Sequence, residues 1–108
     1  MDEIEKTVSV FDKYAKQYQD KYMSFAPYTE TYGTLATMVP EGSSILDVAC
    51  GPGNISHYLN DRIANLKLTG CDLSPEMIQL ARNNLPNGHF ELRDSRDING
   101  FQQMFDVV

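Results

Sequence analysis

The chain has 108 residues, 42% of them hydrophobic and 22% charged, with a formal net charge of −6; this is the composition of a globular domain with one small core, too short for two. Nine Lys and Arg are scattered among fifteen Asp and Glu, so the clustered basic patch that tracks a phosphate backbone is missing and nucleic acid is not the expected partner. No uninterrupted apolar stretch serves as a signal-peptide core or a membrane span, which leaves the cytoplasm as the expected location and no membrane partner.

From Ile4 to Met23 the apolar positions Ile4, Val8, Phe11, Tyr14, Ala15, Tyr18 and Tyr22 recur at three- and four-residue steps, the face of a long amphipathic helix. A second helix is expected to start around Pro27, which suits a first turn, and to stop before Pro40 and the turn "PEGSS". The pattern then changes to short apolar runs alternating with helical periods. "SILDVA" reads as a strand buried on both faces, "GNISHYLNDRIANL" as a helix and "KLTGCDL" as a second strand. "SPEMIQLARNNL" is a helix with Ser74 as N-cap, Pro75 in its first turn and Glu76 as an early acid. "PNGHFELRD" gives a turn and a third strand, "INGFQQM" a short helix or turn, and "FDVV" the start of a fourth strand.

Strand and helix alternation of this kind means right-handed crossovers and a parallel α/β sheet of Rossmann-like type. The expected organisation is an N-terminal helical cap over residues 1–40 and the first half of a Rossmann-like domain over residues 41–108, with strands in the order 3-2-1-4. Because the last apolar run stops at Val108 without a closing helix, the chain is expected to be part of a longer one. The edge Phe105–Val108 is then open to self-association. Cys50 and Cys71 lack His or Cys neighbours at metal-ligand spacing and read as small buried hydrophobes, with no metal expected.

In such a sheet ligands bind beyond the carboxyl ends of the strands. The first strand runs into "CGPGN", where Gly51 and Gly53 let the backbone turn sharply and approach a ligand. The second strand ends at Asp72, twenty-one residues after Gly51, and a carboxylate there can accept hydrogen bonds from the vicinal hydroxyls of a ribose. The third ends at Asp94 and Ser95, polar groups suited to the edge of an adenine ring. Taken singly, Asp72 is equally a helix cap before Ser74 and Asp94 a solvated loop residue; taken together, three successive strand tips describe an adenosine site.

This combination resembles the class I S-adenosylmethionine-dependent methyltransferases, in their small-molecule, methyltransferase-11-like branch. The family's glycine signature is matched by Asp47, Ala49, Gly51 and Gly53, with Ala49 in the place of a first glycine. "GCDLSPEMIQLAR" is similar to the second-strand signature, "FELRDSRDI" to the third and "FDVV" to the beginning of the fourth, with Asp106 at its acidic position. The resemblance implies S-adenosyl-L-methionine as cofactor and S-adenosyl-L-homocysteine as product. It puts Asp72 on the ribose, Leu73 and Met77 beside the adenine, and Asp94 and Ser95 on the adenine edge. Asp47 and the loop residues Ala49, Cys50, Gly51 and Gly53 then serve the methionine end. That role would explain a carboxylate inside an apolar run, since the ligand's ammonium compensates its burial. "VFDKYAKQYQDKY" is similar to the helix that covers the cofactor, so Tyr14 or Tyr18 would close over its carboxylate, although such a stripe also reads as core. His57 and His89 read as structural or solvent-facing.

The implied activity is in-line methyl transfer to a small-molecule acceptor, with no catalytic base assigned. Two other readings are a non-catalytic S-adenosylmethionine-binding module and a nicotinamide-dependent oxidoreductase domain. The latter wants a third glycine where this chain has Ser56, and it has no use for Asp47.

Overall fold

The computed structural model describes residues 2–23, 25–97, 101 and 105–108. Helix α1 (Glu3–Tyr22) is capped by Asp2, whose carboxylate accepts from the Glu5 amide at 2.7 Å. Helix α2 (Ala26–Ala36) begins with Pro27 in its first turn, where the missing N–H costs nothing. Strand β1 (Ser44–Val48), helix α3 (Asn54–Arg62), strand β2 (Lys67–Asp72), helix α4 (Pro75–Asn84) and strand β3 (His89–Leu92) follow.

The three strands form one parallel sheet in the order β1-β2-β3. The register pairs Asp47 with Gly70 and Val48 with Cys71, and on the other side of β2 it pairs Asp72 with Leu92. The tips carrying Asp47 and Asp72 are therefore neighbours on one rim. On the free side of β1, Val107 makes a single parallel bridge to Ile45; the Leu46 amide donates to the Val107 carbonyl at 2.9 Å. Among the described residues the expected fourth strand is thus one bridge next to β1, and most of the "INGFQQM" stretch lies outside the described residues.

One helix is shorter than its periodicity implies. The apolar spacing runs on to Leu66, but α3 stops at Arg62 because Ile63 is extended (φ −124°, ψ 128°) and Asn65 turns left-handed (φ 62°). Asparagine tolerates that region better than most residues, and the reversal feeds Leu66 and β2 back into the sheet. Helix α4 starts as expected: Ser74 Oγ accepts from the Met77 amide at 3.2 Å.

The core lies where α3 and α4 meet the sheet, around Ile45, Leu59, Leu68, Ile78, Leu85 and Phe90. Phe90 lies against Gly70, where a Cβ would stand 2.7 Å from the ring; that glycine is set by close packing. Both cysteines are buried and unpaired, and burial raises both thiols' pKa values. Among the described residues no His, Cys, Asp and Glu cluster is placed to hold a metal ion. No helix among them is long and apolar enough to cross a membrane.

The helices of the N-terminal segment dock on opposite partners, α1 on α4 and α2 on α3. Helix α1 buries only Ala15, and its expected apolar face is not packed into a core. Ile4, Val8, Phe11 and Tyr18 instead face a cleft above the strand tips.

Candidate functional site

After β1 the backbone enters the left-handed region three times within five residues, at Ala49 (φ 55°), Gly51 (φ 57°) and Gly53 (φ 86°). The two glycines adopt it freely; Ala49 does so at a cost of about 1 kcal/mol. Side chains are excluded for different reasons. A Cβ on Gly53 would stand 3.0 Å from Leu85 Cδ1, whereas one on Gly51 would meet only Met77 Sδ at 4.0 Å. Gly53 is therefore fixed by packing against α4, while Gly51 borders open space.

Asp72 fastens this loop. Its Oδ2 accepts from the Gly51 amide and its Oδ1 from the Ser74 amide, each at 3.0 Å. A carboxylate has about four acceptor positions, so each oxygen keeps capacity for a further donor. The helix-cap and ligand readings of Asp72 are compatible, because the Ser74 amide takes one oxygen at one lone pair.

Asp47 projects from the adjacent strand. Ser56 Oγ donates to its Oδ2 at 2.9 Å, so the residue standing at the dinucleotide fingerprint's third glycine is employed as a hydrogen-bond donor to this acid. Burial pushes the Asp47 carboxyl up to about 6; the Ser56 bond opposes the shift and the nearby Asp72 charge adds to it.

The cleft between these groups and α1 has a volume of about 570 Å³, within the range of small-molecule sites. Asp47, Ala49, Cys50, Gly51, Asp72, Leu73, Met77 and Ser95 line it, and so does Tyr18. Gly53, packed against Leu85 and Ala81, does not line it. Two further expected residues stand elsewhere. Asp94 does not line the cleft: Arg96 grips its carboxylate through the guanidinium and backbone amide, which hold it down to about 2. Tyr14 also lies outside, largely exposed beside Lys13. Burial, then the neighbouring Tyr28, Tyr22 and Asp72, raises the pKa of the Tyr18 phenol.

The cleft also contains residues that the sequence pattern did not single out. Tyr32 of α2 and Arg93, just past β3, are in its wall. Arg93 is committed to Glu91 Oε2 by two bonds of 3.1 and 2.9 Å and stacks on Phe101. Asn54, the first residue of α3, is 6% exposed, and its Oδ1 is buried without a hydrogen-bond partner. Such an orphan costs about 1–3 kcal/mol. The signal available in the sequence was a polar residue directly after Gly53.

Helix α1 is held over the cleft by polar clasps. Asp12 Oδ1 accepts from Ser74 Oγ and, at 3.3 Å, from the Glu76 amide. Farther along, Asn84 Nδ2 donates to Gln19 Oε1 at 2.7 Å and to the Pro52 carbonyl at 2.9 Å. Asp12 meets the start of α4 and Gln19 its end, so the two helices run in the same direction.

The donor set fits a nucleoside with an amino-acid tail. Paired acceptor capacity at Asp72 suits vicinal hydroxyls, and Leu73 and Met77 offer an apolar bed for a base. Asp47 suits a cationic donor. The first turn of α3, with no side-chain cap, can receive a carboxylate.

Comparison with known proteins agrees with this geometry. A family model described as a methyltransferase domain matches residues 45–108. YqeM of Bacillus subtilis (strain 168), which carries a methyltransferase name, is 36% identical over 102 residues, covering 92% of this chain and 40% of its own length. Demethylmenaquinone methyltransferase of Thermotoga maritima is 26% identical over 103 residues, covering 92% of this chain and 45% of its own. Among solved structures, the Pyrococcus abyssi tRNA (uracil-54, C5)-methyltransferase in complex with S-adenosyl-L-homocysteine superposes with a TM-score of 0.57 at 28% identity, over 72% of this chain and 20% of that one. The chain therefore spans less than half the length of these relatives. That last neighbour acts on RNA by name, so the likeness to known proteins does not exclude nucleic acid as an acceptor. What the strand tips, the glycine turn and the family match share is one ancestry: the chain belongs to the class I S-adenosylmethionine-dependent methyltransferases.

Proposed function

We propose that the cleft binds S-adenosyl-L-methionine and that the protein to which this chain belongs transfers its methyl group to a small-molecule acceptor. The observation that carries this reading is Asp72: one oxygen holds the glycine loop through the Gly51 amide, the other takes the Ser74 amide at the head of α4, and each keeps a lone pair as further acceptor capacity at the cleft it lines. Bound there, the cofactor supplies a methyl group already activated on a sulfonium sulfur.

The chain's own residues then act by positioning and by excluding water. Asp72 holds the ribose hydroxyls, and Leu73 and Met77 flank the adenine. The Ser95 backbone amide meets the adenine edge, joined by Asp94 once Arg96 releases it. Asp47, with Ala49, Cys50 and Gly51 of the loop, orients the ammonium of the amino-acid tail. Tyr18 covers that end from α1, and Tyr14 lies on the outer side of the same helix.

Support for a small-molecule acceptor comes from the net charge of −6, which disfavours a polyanion, and from the demethylmenaquinone methyltransferase among the relatives. The test is transfer of radiolabelled methyl from S-adenosylmethionine, offered a metabolite extract in one arm and total RNA in the other. Label in a low-molecular-weight product is the expected result. Label in RNA overturns the acceptor class. Cofactor binding with no label in either arm overturns the enzymatic reading in favour of a binding module.

A further inference from the structure

We propose that Tyr32 determines acceptor specificity and that the acceptor it selects is an uncharged aromatic ring. The inference rests on the proposed cofactor reading and narrows its acceptor to a chemical class. Tyr32 lines the cleft from α2, as Tyr18 does from α1, together with the apolar Val48 and Ile55. Both tyrosines are held by other aromatic rings. Tyr18 lies 4.9 Å from Tyr22 between centroids. Tyr32 meets Tyr58 of α3 at 5.6 Å in a T-shaped pair, and the Arg62 guanidinium lies 3.5 Å over the Tyr58 ring. Gly33, unfavourable inside a helix, lets this arrangement close: a Cβ there would stand 3.2 Å from the Tyr58 hydroxyl. Tyr32 is therefore braced, yet only half-buried. Burial, then Tyr18, Asp47 and Tyr28, raises the pKa of its phenol, so its hydroxyl shares the neighbourhood of Tyr18 and Asp47.

Charge decides what this wall accepts. Glu3, Asp47 and Asp72 line the cleft, and among the described residues Arg93 is the only basic side chain that does. Its nitrogens are already engaged. Nε and Nη2 donate to Glu91 Oε2, and Nη1 donates to the Asp97 carbonyl at 3.3 Å. A carboxylate on the acceptor would lose water beside acids, with no free cation to pair it. A cationic acceptor would instead approach a sulfonium of like charge. An uncharged ring meets neither penalty, and it packs offset or edge-to-face on tyrosine.

The experiment uses the protein as its gene encodes it, first titrated to saturation with S-adenosylmethionine. Three probes that share one bicyclic ring and differ in charge are then titrated by calorimetry: 1-naphthol, 1-naphthoate and 1-naphthylmethylammonium. The expected result is that 1-naphthol binds most tightly of the three. Tyr32→Leu weakens its binding by about fivefold or more and leaves the affinity for S-adenosylmethionine unchanged. Tyr32→Phe, which keeps the ring, restores the parent value to within about twofold. Tighter binding of either charged probe, or no binding of 1-naphthol, would overturn the acceptor class. An unchanged 1-naphthol affinity in Tyr32→Leu, or a loss of S-adenosylmethionine affinity in that variant, would overturn the role of Tyr32. If the parent protein fails to bind S-adenosylmethionine in the first titration, the cofactor reading has failed and this inference with it, an outcome distinct from the others.

Discussion

The Asp72 carboxylate and the Gly51 amide, 21 residues apart in sequence, are joined by a 3.0 Å hydrogen bond. One side chain at the tip of β2 thereby helps set the shape of the loop that leaves β1, and the acid we propose to hold the ribose also holds the glycine turn. Asp72→Ala is expected to remove two charge-assisted bonds to backbone amides, destabilising the fold by about 2–4 kcal/mol and abolishing measurable S-adenosylhomocysteine binding. Chemical denaturation and calorimetry report the two effects separately; binding that survives the substitution contradicts the dual role.

Ala49 occupies the left-handed region with φ 55°, where glycine carries no steric penalty. Ala49→Gly relieves that strain, and the extra freedom of the unfolded chain offsets part of the gain. The expected net effect is a stabilisation of up to about 1 kcal/mol, whereas Ala49→Val loses at least about 1 kcal/mol. Urea unfolding of the two variants checks the order glycine, alanine, valine. The reverse order would mean that the turn is not left-handed.

Asp47 is expected to make both stability and cofactor binding depend on pH, in opposite directions. Its carboxyl is raised from 3.8 to about 6 in the folded state, so between those values the native protein holds the proton more tightly than the unfolded chain. Stability of the free protein therefore falls as pH rises through that window and levels off above it. A ligand ammonium favours the ionised acid, so affinity for S-adenosylhomocysteine is expected to rise by up to tenfold per pH unit from about 5 to 6 and to flatten by about 7. Asp47→Asn keeps an acceptor for Ser56. It is expected to flatten both profiles and to stabilise the free protein at pH 7.5 by roughly 1–3 kcal/mol. Calorimetry across pH 5–8 tests this, and a profile that persists in the variant contradicts the assignment.

Helix α1 buries a single residue, so its position depends on the Asp12 and Gln19 clasps. Asp12→Ala is expected to accelerate amide exchange along α1 by about tenfold, while α4 keeps its Ser74–Met77 cap and exchanges as before. Dissociation of S-adenosylhomocysteine speeds up in parallel. Unchanged exchange in α1 would show that apolar contacts hold the helix.

Much of the frame was legible because it is written in local chemistry. Ser74, Pro75 and Glu76 announce the start of α4, and alternating strand and helix periods imply the parallel sheet. What was not legible depends on residues far apart in the chain. Asp12 meets Ser74 across 62 positions, and no spacing rule connects them. The length of α3 was overestimated because the apolar period continues through Ile63 while the backbone has already turned. Of the apolar stripe read on α1, Ile4, Val8, Phe11 and Tyr18 face the cleft while Tyr14 lies outside it, and the pattern does not say whether such a face meets a core or a cavity. Asp94 was assigned to the adenine from its place at a strand tip; that its carboxylate is engaged by Arg96, two residues on, is a pairing the strand-tip argument does not anticipate. Asn54 escaped notice because an orphaned atom exists only in three dimensions.

The most direct test is a crystal structure of the protein grown with S-adenosylhomocysteine. The account requires the ribose hydroxyls to lie within hydrogen-bonding distance of Asp72 while the Gly51 amide keeps its hold on the same carboxylate, with the amino-acid tail over the turn at the head of α3. A ligand seated elsewhere, or an Asp72 side chain rotated away from the sugar, would contradict it.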